Sequence, residues 1–149
     1  MNQKLVDMLK LHEGYRLKPY KCTAGKNTIG VGHNYDANPL PAEIALYLKS
    51  NGQITDEMAM WLLEKDVQTA ILDCERIYPL FKTFSENRQN ALIDLMFNLG
   101  IGTMITFKGT LQRVNAGLWD EAARRLEGSA YYQQVGNRAK EICRLLREG

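Results

Sequence analysis

The stretch EGYRLKPYKCTAGKNTIGVGH, residues 13–33, decides how the rest of the chain is read. Just before it, Leu5, Leu9 and His12, with Val6 and Glu13 beside them, fall at helical spacing, and Gly14 supplies a stop. Within it, Arg16–Tyr20 and Asn27–His33 read as two short strands joined by a turn containing Gly25. Period-two alternation puts Thr28, Gly30 and Gly32 on one face of the second strand and Ile29, Val31 and His33 on the other. Glycine weakens a strand, so two on one face imply that something approaches the backbone closely there. Thr28 is then expected to hold its hydroxyl at the edge of that open space, with Cys22 close to it across the ladder.

Downstream the chain turns helical. The segment Asn34–Pro41 is rich in turn formers, and a short helix is expected over Ala42–Lys49. Thr55 is placed to cap a long helix, with Asp56 and Glu57 suiting the positive end of its dipole. Leu63, Val67, Ala70, Cys74 and Ile77 form its apolar stripe, and Pro79 ends it. At about 1.5 Å per residue it spans roughly 33 Å, the width of a small domain. Ser85 caps a helix bearing Ala91, Leu92, Leu95, Met96 and Leu99, which Gly100 closes. Leu111 and Val114 mark another, Asp120 starts a third that stops at Gly128, and Asn137 is placed to cap a last one. The class is α+β: a small N-terminal lobe with a β-hairpin sheet, joined by the long helix to a larger all-helical lobe. The expected division is one domain over 1–149. Its N-lobe covers about 13–54, its linking helix about 55–78 and its C-lobe about 79–149, with helix 1–12 packed on the C-lobe.

The 149 residues are 45% hydrophobic and 24% charged, which excludes a disordered tail, a collagen-like repeat and a linker protein. No apolar run approaches the roughly 20 residues of a spanning helix, and the N-terminus lacks the apolar stretch of a signal peptide. Synthesis and folding in a cytoplasm, with no membrane insertion, are therefore expected. Three cysteines without CxxC or Cys/His spacing predict neither a disulfide scaffold nor a zinc site, so Cys74 and Cys143 are read as reduced, apolar thiols. Neither a metal site nor a nucleotide motif is visible, and no cofactor is expected. Residues 1–33 carry six Lys/Arg against two Asp/Glu, residues 34–107 five against ten, and the remainder eight against five. Basic ends around an acidic middle suit an anionic polymer, but no basic stripe interleaved with aromatics points to nucleic acid.

Glu13 closes the first helix on the side that carries Val6 and Leu9. The partial negative charge of a helix C-terminus disfavours an ionised carboxylate, and a carboxyl group that keeps its proton is what a general acid needs. Glu13, eight residues, Cys22, five residues, Thr28 and then TIGVGH resemble the catalytic segment of the phage lysozymes, a glycoside hydrolase family. The likeness runs from about Leu5 to Arg147 through NGQIT at 51–55, LIDLMFNLG at 92–100, WDEAARRL at 119–126 and YYQQVGNRAK at 131–140.

The resemblance implies a lysozyme-like fold and a monomeric endolysin. Its substrate would be peptidoglycan, cut at the β-1,4 bond between N-acetylmuramic acid and N-acetylglucosamine. Glu13 resembles the general acid and Thr28 the residue that helps to position the attacking water. Cys22 stands where many members carry aspartate, and the resemblance favours inversion with Cys22 orienting or deprotonating that water. His33, Phe97, Asn98, Thr110, Arg125 and Arg138 match substrate-contacting or supporting positions. Of these, Arg138 resembles the arginine that approaches the catalytic glutamate, and Arg125 replaces an amide-bearing residue. His33 is implied to pair with Asp66 rather than to form a Cys22–His33 peptidase dyad. Holin-dependent release from the host cytoplasm to the periplasm and wall is implied in the same way. A catalytically inactive wall-binding module and a lytic transglycosylase are the alternatives.

Overall fold

Asn2 starts the first helix by accepting the Leu5 N–H on its side chain at 2.9 Å, and Gly14 stops it at φ 83°. The computed structural model describes residues 1–149 and divides them into two units, Met1–Val67 and Gln68–Gly149. In the first unit helix α1 (Gln3–Glu13) is followed by strands β1 (Arg16–Lys21), β2 (Asn27–Gly30) and β3 (His33–Asn34), then helix α2 (Ala42–Asn51). The three strands form an antiparallel sheet in the order β1-β2-β3. Tyr20 pairs with Thr28 and Lys21 with Asn27, and the register is irregular between Arg16 and Tyr20. Pro19, which has no N–H to give to a ladder, lies in that irregular stretch.

The expected single strand over Asn27–His33 is corrected here. The chain reverses after Gly30, and Ile29 pairs with His33 across the turn. Gly30 and Gly32 stand at φ 67° and 63°, left-handed conformations that glycine adopts without steric cost. Thr28, Gly30 and Gly32 therefore do not share a strand face; the two glycines build a turn instead of exposing a flat surface.

The core of this unit gathers Ile29, Ile44, Ile54, Ala59 and Leu62, with Tyr15, Leu17, Tyr35 and Met58 packed against it. A Cβ on Gly30 would meet the Ala59 Cβ at 3.5 Å, so the turn lies directly on helix α3 (Asp56–Ile77). The Ile54 N–H donates to the Leu17 carbonyl at 2.9 Å, tying the approach to α3 onto β1. Burying each of Ile29 and Ile54 contributes about 1.5–3 kcal/mol. As expected, Thr55 caps α3 by accepting the Met58 N–H at 3.1 Å.

Helix α3 runs on into the second unit, which continues with a 3₁₀ turn (Phe81–Thr83) and helices α4 (Glu86–Leu99), α5 (Ile101–Met104) and α6 (Lys108–Asn115). Helices α7 (Trp119–Glu127), α8 (Ala130–Val135) and α9 (Asn137–Glu148) complete it. Ser85 caps α4 and Gly100 closes it, both as expected. Every residue of α4 from Asn90 to Met96 is buried, and α9 packs against both α4 and α7. Ala122 and Ala123 are fully covered, and their small side chains let α7 approach α9 closely. The expected cap at Asn137 is corrected: Gly136, at φ 56°, occupies the cap position without a side-chain bond. Helices α5 and α8 were not anticipated; four and six residues are too short to show periodicity. The thiols of Cys74 and Cys143 lie against the Leu92 and Ala123 carbonyls, and burial pushes both pKa values up, that of Cys143 to about 11. No helix is long and apolar enough to cross a membrane.

Candidate active site

Glu13 is the last residue of α1, and its side chain lies over the backbone of Gly32. A Cβ at Gly32 would stand 2.7 Å from the Glu13 Oε2 and 2.8 Å from its Cβ, so the carboxylate occupies space that only a glycine leaves open. The same glycine needs its positive φ to close the turn, and one residue thus serves both the backbone reversal and the seating of Glu13.

Tyr20 is the residue that inspection of the sequence overlooked. Its hydroxyl donates to the Glu13 carbonyl at 3.3 Å, and the Arg16 guanidinium sits over its ring at 4.7 Å. Burial raises the Tyr20 pKa first and the Glu13 charge raises it further. Arg16 opposes these and Cys22 adds to them. One phenol therefore feels both Glu13 and Cys22. Its only sequence signal was the strand register, since Tyr20 lies opposite Thr28 and two residues before Cys22.

Cys22 begins the turn that joins β1 to β2. Its N–H donates to the Lys26 carbonyl at 3.0 Å, and its carbonyl accepts the Gly25 N–H at 2.8 Å. Hydrogen bonding from the Lys26 backbone lowers the pKa of the thiol; burial opposes this, while the Ala24 backbone and the Thr28 hydroxyl add to it. The expectation that Cys22 and Thr28 are neighbours across the ladder agrees with this geometry. The expectation of an exposed Thr28 hydroxyl is corrected: Thr28 is 3% exposed, and its Oγ1 donates to the Lys26 carbonyl at 2.9 Å.

His33 does not join this group. Its Nδ1 lies 2.7 Å from the Asp66 Oδ2 and its Nε2 2.9 Å from the Asn38 carbonyl, so both ring nitrogens are taken by the protein. That leaves no nitrogen for a Cys22–His33 dyad or for a substrate contact, and it reproduces the Asp66 pairing that the resemblance implies.

The remaining candidates lie in the second unit. Phe97 is half-buried and Asn98 exposed, both in the last turn of α4. Arg138 is buried and donates through Nε to the Asp94 Oδ1 at 2.8 Å and through Nη2 to the Asp94 carbonyl at 3.2 Å. Asp94, fully buried on α4, was not singled out in the sequence. Thr110 and Arg125 line one pocket of about 470 Å³. Phe97 and Asn98 are not among its lining residues.

Residues 10–144 match the family model described as phage lysozyme. The chain belongs to the phage lysozyme family. The chain is 32% identical over 164 residues to a probable T4-type lysozyme of Dictyostelium discoideum, an alignment covering 100% of this chain and 96% of that one. It is 31% identical over 162 residues to the pre-baseplate central spike protein of Enterobacteria phage T4, covering 99% of this chain but 28% of the spike protein. Against an endolysin of Acyrthosiphon pisum secondary endosymbiont phage 1 it is 31% identical over 125 residues, 83% of this chain and 75% of that one. The family is one of lysozyme-type glycoside hydrolases that act on peptidoglycan.

Proposed function

We propose that this protein hydrolyses the β-1,4 bond between N-acetylmuramic acid and N-acetylglucosamine in peptidoglycan, with Glu13 as general acid. Glu13 gives its proton to the bridging oxygen as the bond to the anomeric carbon breaks, and water attacks that carbon from the opposite face. Cys22, as thiolate, accepts the proton that the water loses, and Thr28 holds the Cys22 turn in shape. The anomeric configuration inverts. Glu13 then recovers its proton from solvent, and Cys22 releases the one it accepted. Host lysis by a holin-released endolysin is the biological setting proposed for this reaction.

The observation that carries this reading is the gathering of Glu13 and Cys22 about Tyr20, on a turn whose hydrogen bonds favour the Cys22 thiolate. A thiol with an ordinary pKa of about 8.5 is only a few per cent ionised at neutral pH, so hydrogen bonding that lowers its pKa enlarges the reactive fraction. In the test, Glu13→Gln should abolish release of reducing ends from purified peptidoglycan while its circular dichroism and Tm stay those of the parent. Product mass and anomer, read together, separate this reaction from its competitors. A 1,6-anhydro product would establish a transglycosylase, and initial retention would establish attack by a nucleophile of the enzyme. Binding to the wall without any cleavage would establish an inactive module.

A further inference from the structure

The first turns of α2 and α3 line a common pocket of about 540 Å³. Ile44 and Met58 tie it to the core of the first unit, the one buried and the other packed against the buried cluster, so this part of the wall is fixed. Trp61 lines it while remaining 45% exposed, a large apolar surface to leave in water. Glu43 and Glu57 line it too, and neither carboxylate has a hydrogen-bond or ion-pair partner in the chain. No lysine or arginine lines it, and the Thr55 hydroxyl is already engaged by the Met58 N–H. Each glutamate stands in the first turn of its helix, where the dipole favours negative charge. The dipole explains each carboxylate separately, but not why both share one apolar hollow with an indole.

Apolar walls with two unpaired carboxylates select a cation that carries an apolar stem; an anion is repelled, and a neutral ligand leaves both carboxylates unanswered. The indole suits the same charge. Tryptophan is the aromatic residue that attracts cations best, and this ring already has the Lys65 Nζ 5.4 Å from its centre. Lysine and arginine side chains have the required form, a methylene stem ending in a charge. The apolar surface also continues beyond the pocket. Leu46 and Tyr47 follow Glu43 by three and four residues, on the same face of α2, and are 66% and 36% exposed. A free amine fills the pocket and leaves both of these in water, whereas a polypeptide covers them with the residues beside its basic side chain. We propose that this face of the first unit docks a partner polypeptide, seating one of its lysine or arginine side chains among Glu43, Glu57 and Trp61 and laying apolar neighbours on Leu46 and Tyr47. The docking does not depend on the peptidoglycan reading above.

The test is titration of the full nitrogen-15-labelled chain, followed by NMR at the tryptophan indole N–H signals. The chain has two tryptophans, and Trp119, held against Phe84 and Arg88 in the second unit, reports any non-specific effect. The probes are a short blocked peptide with one lysine flanked by leucines, the same peptide with glutamine in place of lysine, and n-butylammonium. The lysine peptide should shift the Trp61 signal saturably and leave Trp119 unmoved. The glutamine peptide should bind about fivefold more weakly, as expected for loss of an exposed ion pair. Added salt should weaken the lysine peptide alone. Glu43→Gln combined with Glu57→Gln should bring the two peptides to equal affinity. Leu46→Ser combined with Tyr47→Ser should weaken the lysine peptide and leave n-butylammonium unaffected. All four substituted side chains are exposed, and an unchanged Tm shows that the variants fold. Equal affinity of the parent for the two peptides, an unaltered preference in the double glutamine variant, movement of Trp119 in step with Trp61, or no measurable binding of either peptide would overturn the proposal. Binding of n-butylammonium as tight as that of the lysine peptide would overturn the assignment to a polypeptide.

Discussion

His33 Nδ1 lies 2.7 Å from Asp66 Oδ2, an ion pair that fastens the end of the hairpin to the long helix α3. Burial pushes the His33 pKa down, but the hydrogen bond and charge of Asp66, with the Asn38 carbonyl, outweigh it and hold the value above that of an ordinary histidine. A folded-state pKa above the unfolded one means that the folded protein binds the proton more tightly. The resulting stability is fully present below the unfolded pKa of about 6.5 and is lost as pH rises through the folded value. Asp66→Asn should therefore lower stability by about 1.5–3 kcal/mol in mildly acidic solution, with the deficit shrinking as pH rises past the His33 titration. Urea midpoints of parent and variant from pH 5 upward measure this, and a deficit that grows with pH would contradict it.

Gly32→Ala tests the seat of Glu13. The added Cβ meets the Glu13 Oε2 at 2.7 Å and its Cβ at 2.8 Å, and the second of these is fixed to the helix backbone and cannot swing aside. Positive φ adds a backbone cost of about 1–2 kcal/mol. The variant should lose at least that much stability, and it should lose wall-degrading activity beyond what unfolding explains. Activity assayed well below the variant's Tm separates the two effects.

The pH profile of kcat should carry the signature of Cys22. The Lys26 backbone lowers its pKa first, and Ala24 and Thr28 assist against the opposing effect of burial. The rising limb should therefore sit below the range of a free thiol. In Cys22→Asp that limb should move into the carboxylate range with activity kept. Cys22→Ser should lower kcat about 100-fold, the lower end of what a positioned general base supplies. A limb unchanged in Cys22→Ser would remove the thiol from the reaction.

Arg138 and Asp94 form an ion pair that is almost fully buried. Removing one partner strands a charge away from water, so Arg138→Met should cost about 3–5 kcal/mol. Replacing both, as in Arg138→Met with Asp94→Leu, should recover much of that loss. Equilibrium denaturation of the single and double variants shows whether the pair serves stability alone, and wall-degrading activity of the double variant shows whether the charge at Arg138 is also needed for turnover.

The local structure was legible because its causes are local. Thr55 and Ser85 cap their helices through side chains three residues from the N–H they accept, and Gly14 and Gly100 close theirs with conformations that other residues resist. Apolar spacing along α3 and α4 marked their buried faces without reference to the rest of the chain. The α+β class followed from the same kind of evidence, whereas Glu13, Cys22 and Thr28 were singled out together through the resemblance of their spacing to the phage lysozymes.

What the chain folds against decided the remainder. Alternation over Asn27–His33 cannot distinguish a strand from a glycine turn, because both place apolar residues at every second position; the packing of Gly30 on Ala59 selects the turn. Tyr20 beside Glu13, Asp94 under Arg138 and Arg125 across Gly109 join residues separated by 7, 44 and 16 positions. No periodicity links such pairs. They meet because burying apolar surface elsewhere brings their elements together, and a polar group that is then buried persists only where a partner or an open pocket awaits it.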